Sequence, residues 1–127
     1  MPVKSAKALV DAANAEVGRL TVEEAKAVHE EGRARFVDVR EGKEWDGGRV
    51  PGAVHAPRGL LEFIADPASP AHKEALDPDA PLVLYCAAGG RSALAAKTLK
   101  DMGYKDVRHV DGGFTAWSQA GFPVEKG

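Results

Sequence analysis

Segments typical of β-strands alternate along this chain with segments typical of α-helices. This alternation favours an α/β fold in which helices join parallel strands and cover both faces of one sheet. The run Leu82–Tyr85 is apolar throughout, as expected for a central parallel strand with both faces covered. The other predicted strands are Arg35–Val39, Ala53–His55 and Val107–Val110.

Capping and stop signals define the predicted helices. Thr21 and Glu24 form a capping box, Leu20 is placed to pack against Ala25, and Gly32 ends that helix. Another helix is predicted over 5–17, with Ala6, Leu9, Ala13 and Val17 near one face. One helical turn is predicted within 41–52, a short helix over 59–65, and a loop with a turn of helix in it over 66–81. The last two predicted helices are one over 91–102, which Gly103 ends, and one that begins at Gly112-Gly113 and carries Phe114 and Trp117.

Length and charge exclude several classes of protein. The 127 residues suit a single domain, 1–127, on which residues 1–18 pack as a helical extension. A net charge of -2 gives no electrostatic reason to expect a nucleic acid or an anionic membrane as partner. No apolar run approaches the roughly 18 residues that span a bilayer. Met1–Val10 lacks the apolar core of a secretory signal, so we expect a cytoplasmic protein.

One short segment has the features of a reactive site. Cys86 is the only cysteine and follows the most strand-like run, and in open α/β sheets ligands bind beyond the carboxyl ends of the strands. Residues with little or no side chain come next, and a helix follows them. The segment consists of Cys86, Ala87, Ala88, Gly89, Gly90, Arg91 and Ser92.

These residue types suit a cysteine that reacts as an anion. The thiolate is the nucleophilic form, and helix N-termini and cationic groups stabilise it. Small residues let backbone N–H groups surround an anion, and Arg91 adds a permanent charge with a fork of donors suited to an oxyanion. We therefore predict that Cys86 is a nucleophile and that Ala87–Ser92 bind a small anionic sulfur donor such as thiosulfate. This requires a sulfur that solvent can reach and amide hydrogens that point at it; the alternative is a structural cysteine before an ordinary glycine-rich turn.

Three ordered motifs make the chain similar to the rhodanese family. They span residues 38–117 in the order and spacing of one complete module. One departure is Gly48-Arg49-Val50, where the family usually has Gly-His-Ile. The motifs are Asp38-Val39-Arg40-Glu41 with Gly48-Arg49-Val50-Pro51-Gly52-Ala53, the Cys86 loop, and Gly112-Gly113-Phe114-Thr115-Ala116-Trp117.

The resemblance implies a three-layer fold with a mainly parallel five-stranded sheet and helices on both faces. It also implies transfer of sulfane sulfur from thiosulfate or a persulfide donor, through a persulfide on Cys86, to a thiol or cyanide. In this comparison Cys86 takes the part of the nucleophile and Ala87–Arg91 take the part of a cradle of backbone N–H groups. Asp38 and Arg40 take the part of a buried pair that supports the loop from beneath.

Other functions known for this fold stay open. A rhodanese module can relay sulfur to an acceptor protein or bind a partner without catalysis, although inactive members typically lack the cysteine. Cysteine phosphatases and some arsenate reductases share the fold, but the phosphatases place five residues between cysteine and arginine. Here four residues separate Cys86 from Arg91, and Ser92 occupies the position that would need arginine. The smaller loop favours sulfur transfer.

We expect neither a metal nor an organic cofactor. Sulfur itself is the transferred group, and the four histidines are scattered without a local pair at ligand spacing. The sequence therefore predicts surface or packing roles for His29, His55, His72 and His109.

Overall fold

The structure is a computed structural model that describes residues 3–127. Five parallel strands form one sheet in the order β1-β5-β4-β2-β3, which confirms the predicted α/β class. Met1 and Pro2, where the predicted domain begins, lie outside the described residues. The strands are β1 (Gly18–Leu20), β2 (Arg35–Asp38), β3 (Val54–His55), β4 (Leu82–Tyr85) and β5 (Val107–Val110).

Six α-helices accompany the sheet in the described part of the chain, and most begin and end where the sequence signals place them. The capping box of Thr21 and Glu24 is present, and Gly32 ends that helix with a positive φ of 63°. No helix forms between Ala65 and Leu82, so the turn of helix predicted there is wrong. The helices are α1 (Ala6–Asn14), α2 (Val22–Glu31), α3 (Gly42–Asp46), α4 (Leu61–Ala65), α5 (Gly90–Met102) and α6 (Gly113–Gln119), with a 3-10 turn over Arg58–Leu60.

Alternate residues of the central strand build two separate cores. Leu82 and Leu84 face the side that α4 and α5 cover. Val83 and Tyr85 face the opposite side, where α2 and α6 pack and Trp117 is 1% exposed. Both faces of β4 are therefore buried, which explains why this strand has no charged residue.

The N-terminal helix packs along α5. Ser5 caps it by accepting the Ala8 N–H at 3.0 Å, and the helix ends at Asn14 rather than near Val17. Of the residues predicted near one face of this helix, Ala13 is buried but Leu9 is 46% exposed. The packed side of α1 includes the polar Asn14, which finds a hydrogen-bond partner in β5.

The strand order places the end of β4 between the ends of β2 and β5. Side chains that follow these three strands therefore meet at one edge of the sheet. Among residues 3–127, no helix has the length and apolar character required to cross a membrane.

Candidate active site

Cys86 lies immediately after β4, under a loop that leads into the N-terminus of α5. Two backbone N–H groups point at its sulfur: Gly89 donates at 3.1 Å and Ser92 donates at 3.4 Å. Gly89 is the N-cap of α5 and has a positive φ of 119°, which glycine adopts without strain. The sulfur thus binds donors at a helix N-terminus, where an anion is stabilised.

The start of α6 holds the other side of this loop. Phe114 donates its N–H to the carbonyl oxygen of Cys86 at 2.7 Å, and Thr115 donates to that of Ala87 at 3.0 Å. The approach is so close that a Cβ on Gly113 would lie 2.3 Å from the Cys86 oxygen, and Gly113 also has a positive φ of 54°. A glycine is therefore required here, and the third motif positions the loop through backbone contacts.

The sulfur is covered, contrary to the expectation that solvent reaches it. Cys86 is 1% exposed and belongs to the core cluster on the α5 side of the sheet. Of the cover, Ala88 is exposed, while Ala87, Gly89 and Gly90 are partly buried. A reagent can reach the sulfur only when this loop or the Cys86 side chain moves.

The guanidinium of Arg91 is already occupied by a carboxylate. It donates two parallel hydrogen bonds to Glu44 of α3, at 2.8 and 3.0 Å, and both side chains are about one-third exposed. The hydrogen bonds from Arg91 lower the pKa of Glu44 to about 2, and the carboxylate raises the pKa of Arg91 in turn. Glu44 was not predicted from the sequence, and the donors of Arg91 that were expected to bind an oxyanion are bound to this carboxylate instead.

Asp38 and Arg40 form a buried ion pair at the end of β2. The Arg40 Nη2 lies 2.8 Å from the Asp38 carboxylate, and their side chains are 6% and 0% exposed. Arg40 also donates to the Gly48 carbonyl at 2.7 Å, and its guanidinium lies 4.3 Å from the centre of the Phe114 ring. Burial alone would lower the pKa of Arg40, but the hydrogen bonds and charge of Asp38 outweigh it and raise that pKa. Phe114 connects this pair to the loop, because its N–H binds the Cys86 carbonyl.

A second group of side chains meets Cys86 from behind. The Ser92 hydroxyl lies 3.5 Å from the sulfur and 3.0 Å from Nδ1 of His109 in β5. The Nε2 of His109 lies 2.7 Å from Oδ1 of Asn14 in α1. His109 is 1% exposed, and this burial lowers its pKa.

From the sequence, His109 was predicted to be a surface or packing residue and Asn14 had no predicted role. The available signal was topological: His109 lies near the carboxyl end of a strand beside β4, where side chains converge on the Cys86 loop.

A separate cleft of about 510 Å³ lies at the other end of the sheet, where β2 begins. Its lining carries both charges, from Arg33, Arg35, Glu74 and Asp77. It is not the site of Cys86, because parallel strands begin and end at opposite edges.

Known proteins resemble this chain over most of its length. The profile of the rhodanese-like domain family matches residues 21–120. The thiosulfate sulfurtransferase GlpE of Pseudomonas savastanoi pv. phaseolicola is 37% identical over 111 residues, which cover 87% of this chain and 94% of that protein.

Two solved structures extend the comparison. A Rhodopseudomonas palustris protein of unknown function, described as a possible tyrosine phosphatase, is 45% identical and superposes with a TM-score of 0.89 over 98% of this chain and 99% of that chain. The polysulfide-sulfur transferase homodimer from Wolinella succinogenes is 32% identical with a TM-score of 0.74, covering 95% of this chain and 87% of that chain.

Proposed function

Because the chain belongs to the family of rhodanese-like domains, we propose that it is a sulfurtransferase that carries sulfane sulfur as a persulfide on Cys86. The observation that supports this most directly is the pair of N–H groups, from Gly89 and Ser92, that point at the sulfur. Such donors stabilise a thiolate before the reaction and a persulfide anion after it. The residues from Ala87 to Ser92 form the cradle, and Asp38 with Arg40 supports it.

The first half-reaction loads the cysteine. The Cys86 thiolate attacks the outer sulfur of thiosulfate, a bond forms between the two sulfurs, and the original sulfur–sulfur bond breaks. Sulfite leaves with that electron pair, and the outer sulfur stays on Cys86 as a persulfide. A persulfide donor reacts in the same way and releases a thiol.

The second half-reaction unloads it. The acceptor attacks the outer sulfur, and the bond to Cys86 breaks with its electron pair, which regenerates the thiolate. A thiol acceptor becomes a persulfide and cyanide becomes thiocyanate. The acceptor can equally be a cysteine of a sulfur-accepting protein, since the chemistry at Cys86 is the same. This is covalent catalysis with ping-pong kinetics.

Access to the sulfur requires movement of the loop. Its cover consists of two alanines and two glycines, which lose little side-chain packing when they move. An anionic donor would enter beside Arg91, whose charge is shared with Glu44. The donor must compete with the Glu44 carboxylate for the Arg91 guanidinium. Arg91 therefore assists an anionic donor only after that ion pair opens.

Intact-protein mass spectrometry tests the proposal. Incubation with thiosulfate should add the mass of one sulfur atom to the wild type and nothing to a Cys86→Ser variant. Addition of cyanide should then remove the extra mass and release thiocyanate. A persulfide on Cys86→Ser, or no loading of the wild type by thiosulfate, polysulfide or a persulfide donor, would contradict the assignment.

A parallel assay with para-nitrophenyl phosphate separates sulfur transfer from phosphate hydrolysis. We expect no Cys86-dependent hydrolysis, because the loop has one residue fewer between cysteine and arginine than a phosphatase loop. Hydrolysis lost in Cys86→Ser, together with no sulfur loading, would instead assign a phosphatase.

A further inference from the structure

A continuous line of hydrogen bonds runs from the reacting sulfur to the N-terminal helix. Cys86 Sγ lies 3.5 Å from the Ser92 hydroxyl, which lies 3.0 Å from His109 Nδ1. His109 Nε2 lies 2.7 Å from Asn14 Oδ1. Ser92 and His109 are 0% and 1% exposed, so water does not compete for these bonds.

Asn14 determines the direction of this line. Its amide oxygen accepts a hydrogen bond, so the proton of the neutral imidazole is on Nε2 and Nδ1 has a free lone pair. The Ser92 hydroxyl has two acceptors within reach, the Gly89 carbonyl oxygen at 3.2 Å and the closer Nδ1 at 3.0 Å. When it donates to Nδ1, its oxygen can accept the Cys86 S–H. Burial lowers the pKa of His109, which favours a neutral imidazole with Nδ1 free before the transfer. The same burial opposes the imidazolium, so His109 holds the proton only while the thiolate lies opposite it.

We infer that Ser92 and His109 take up the proton of the Cys86 thiol before it attacks a donor, and that Asn14 positions His109 for this transfer. The inference rests on the proposed function, since it concerns the same thiolate. The S–H bond breaks and its electron pair stays on sulfur. The Ser92 oxygen gains that proton and passes its own to Nδ1, while the Nε2 proton stays on the imidazole and keeps its hydrogen bond to Asn14.

The transfer leaves the total charge of Cys86, Ser92 and His109 unchanged. A thiol and a neutral imidazole become a thiolate and an imidazolium, so no net charge is created in the core and the two opposite charges attract each other. The Ser92 hydroxyl also reverses and becomes a third donor to the sulfur beside the two backbone N–H groups. Ser92 touches the reacting sulfur, whereas His109 and Asn14 act through it and are positioning residues.

Other charges around this line balance one another. Arg19 of β1 lowers the pKa of His109 and Asp111 raises it, and these two side chains form an ion pair at 2.9 Å. On α5, the charged group near the sulfur is Arg91, which is paired with Glu44. The helix α1 contributes the neutral Asn14 to His109.

This inference also gives the N-terminal segment a role. Asn14 lies before residues 21–120, which match the family profile, whereas Ser92 and His109 lie within them. The segment thus adds one side chain to the site of a module that is otherwise built from the matched residues.

The test is the pH dependence of alkylation at Cys86, the only cysteine. Iodoacetamide reports the thiolate without any sulfur transfer. At pH 7 we expect the rate in Asn14→Leu and in His109→Gln to fall by about a hundredfold, the low end of what a positioned proton acceptor contributes. At about pH 10, where hydroxide takes the proton directly, the rates should approach that of the wild type.

The control is Val10→Ala in the same helix, because the Val10 side chain lies beside Gly90 and is apolar, so it cannot hydrogen-bond to the site. It should retain the wild-type pH profile even if it lowers the melting temperature. A loss by the same factor at every pH, or a profile in Asn14→Leu that matches Val10→Ala, would overturn the inference. So would imidazole ¹⁵N shifts that place the neutral His109 proton on Nδ1.

This result is independent of the proposed function. If thiosulfate loads the wild type but alkylation is insensitive to Asn14 and His109, the relay is wrong and the function stands. If alkylation depends on both residues but no donor loads Cys86, the relay stands and the function is wrong.

Discussion

Replacing Asp38 by asparagine should be among the most destabilising substitutions of comparable size in this protein. The change keeps the shape of the side chain but removes its charge. It leaves the Arg40 guanidinium buried with the Gly48 carbonyl, the Phe114 and Tyr85 rings and a neutral amide as partners. Removing one member of a buried ion pair costs about 3–5 kcal/mol, since the remaining charge cannot be hydrated.

That loss is large for a domain of this size. The free energy of unfolding of single domains is about 5–15 kcal/mol. At roughly 3–5 °C per kcal/mol, the melting temperature of Asp38→Asn should fall by about 10–20 °C. Urea unfolding followed by circular dichroism measures the free energy directly, provided that the slope with urea concentration matches the wild type.

The matched control is Asp11→Asn. Asp11 pairs with Lys7 at 2.7 Å, as close as the buried pair, but the two side chains are 61% and 84% exposed. Exposed pairs contribute little, so this variant should melt at the wild-type temperature. A loss of less than about 1 kcal/mol in Asp38→Asn, or an equal change in both variants, would refute the reasoning from burial.

Three further predictions concern the loop and its supports. Because Arg91 lowers the folded-state pKa of Glu44 from 4.5 to about 2, their pairing should stabilise the fold above pH 4.5, and this stabilisation should be lost as the pH falls through about 2. In Arg91→Gln, an NMR titration of the Glu44 carboxyl group should give a midpoint closer to 4.5 than in the wild type. Gly113→Ala should lower the melting temperature far more than Gly121→Ala, since both glycines have positive φ but only Gly113 faces backbone oxygens within 3 Å; equal losses would show that the contact is not tight. Relative to free cysteine, Cys86 should react at least about tenfold more slowly with a bulky maleimide than with iodoacetamide, because its cover must open; equal relative rates would show an open site.

Much of the fold follows from the sequence because its signals are local. The capping box of Thr21 and the apolar run Leu82–Tyr85 depend on neighbours in the chain, and both appear in the structure where predicted. Strand β1 was missed as a pattern because it has three residues and only Leu20 is buried. It exists because it pairs with β5, a contact that no local pattern reports.

The residues of the site also differ in how far along the chain their contacts reach. Cys86 and the loop after it occupy consecutive positions, and Asp38 and Arg40 are two residues apart, so short sequence motifs could predict them. Glu44 comes from α3 and His109 from β5, and each meets the loop only through the strand order and helix packing. Their hydrogen bonds span 47 and 17 residues, which explains why sequence reasoning did not pair them.

The buried sulfur and the small side chains above it act together. Exclusion of water strengthens the two N–H···S hydrogen bonds, because the local dielectric constant is low. The same exclusion would prevent reaction if large side chains fixed the cover in place. Ala88 is exposed and Ala87 is only half-buried, so this cover can move without breaking the core beneath it. Under the proposed function, the burial of Cys86 should therefore favour donors that are small, or slender at the reacting sulfur.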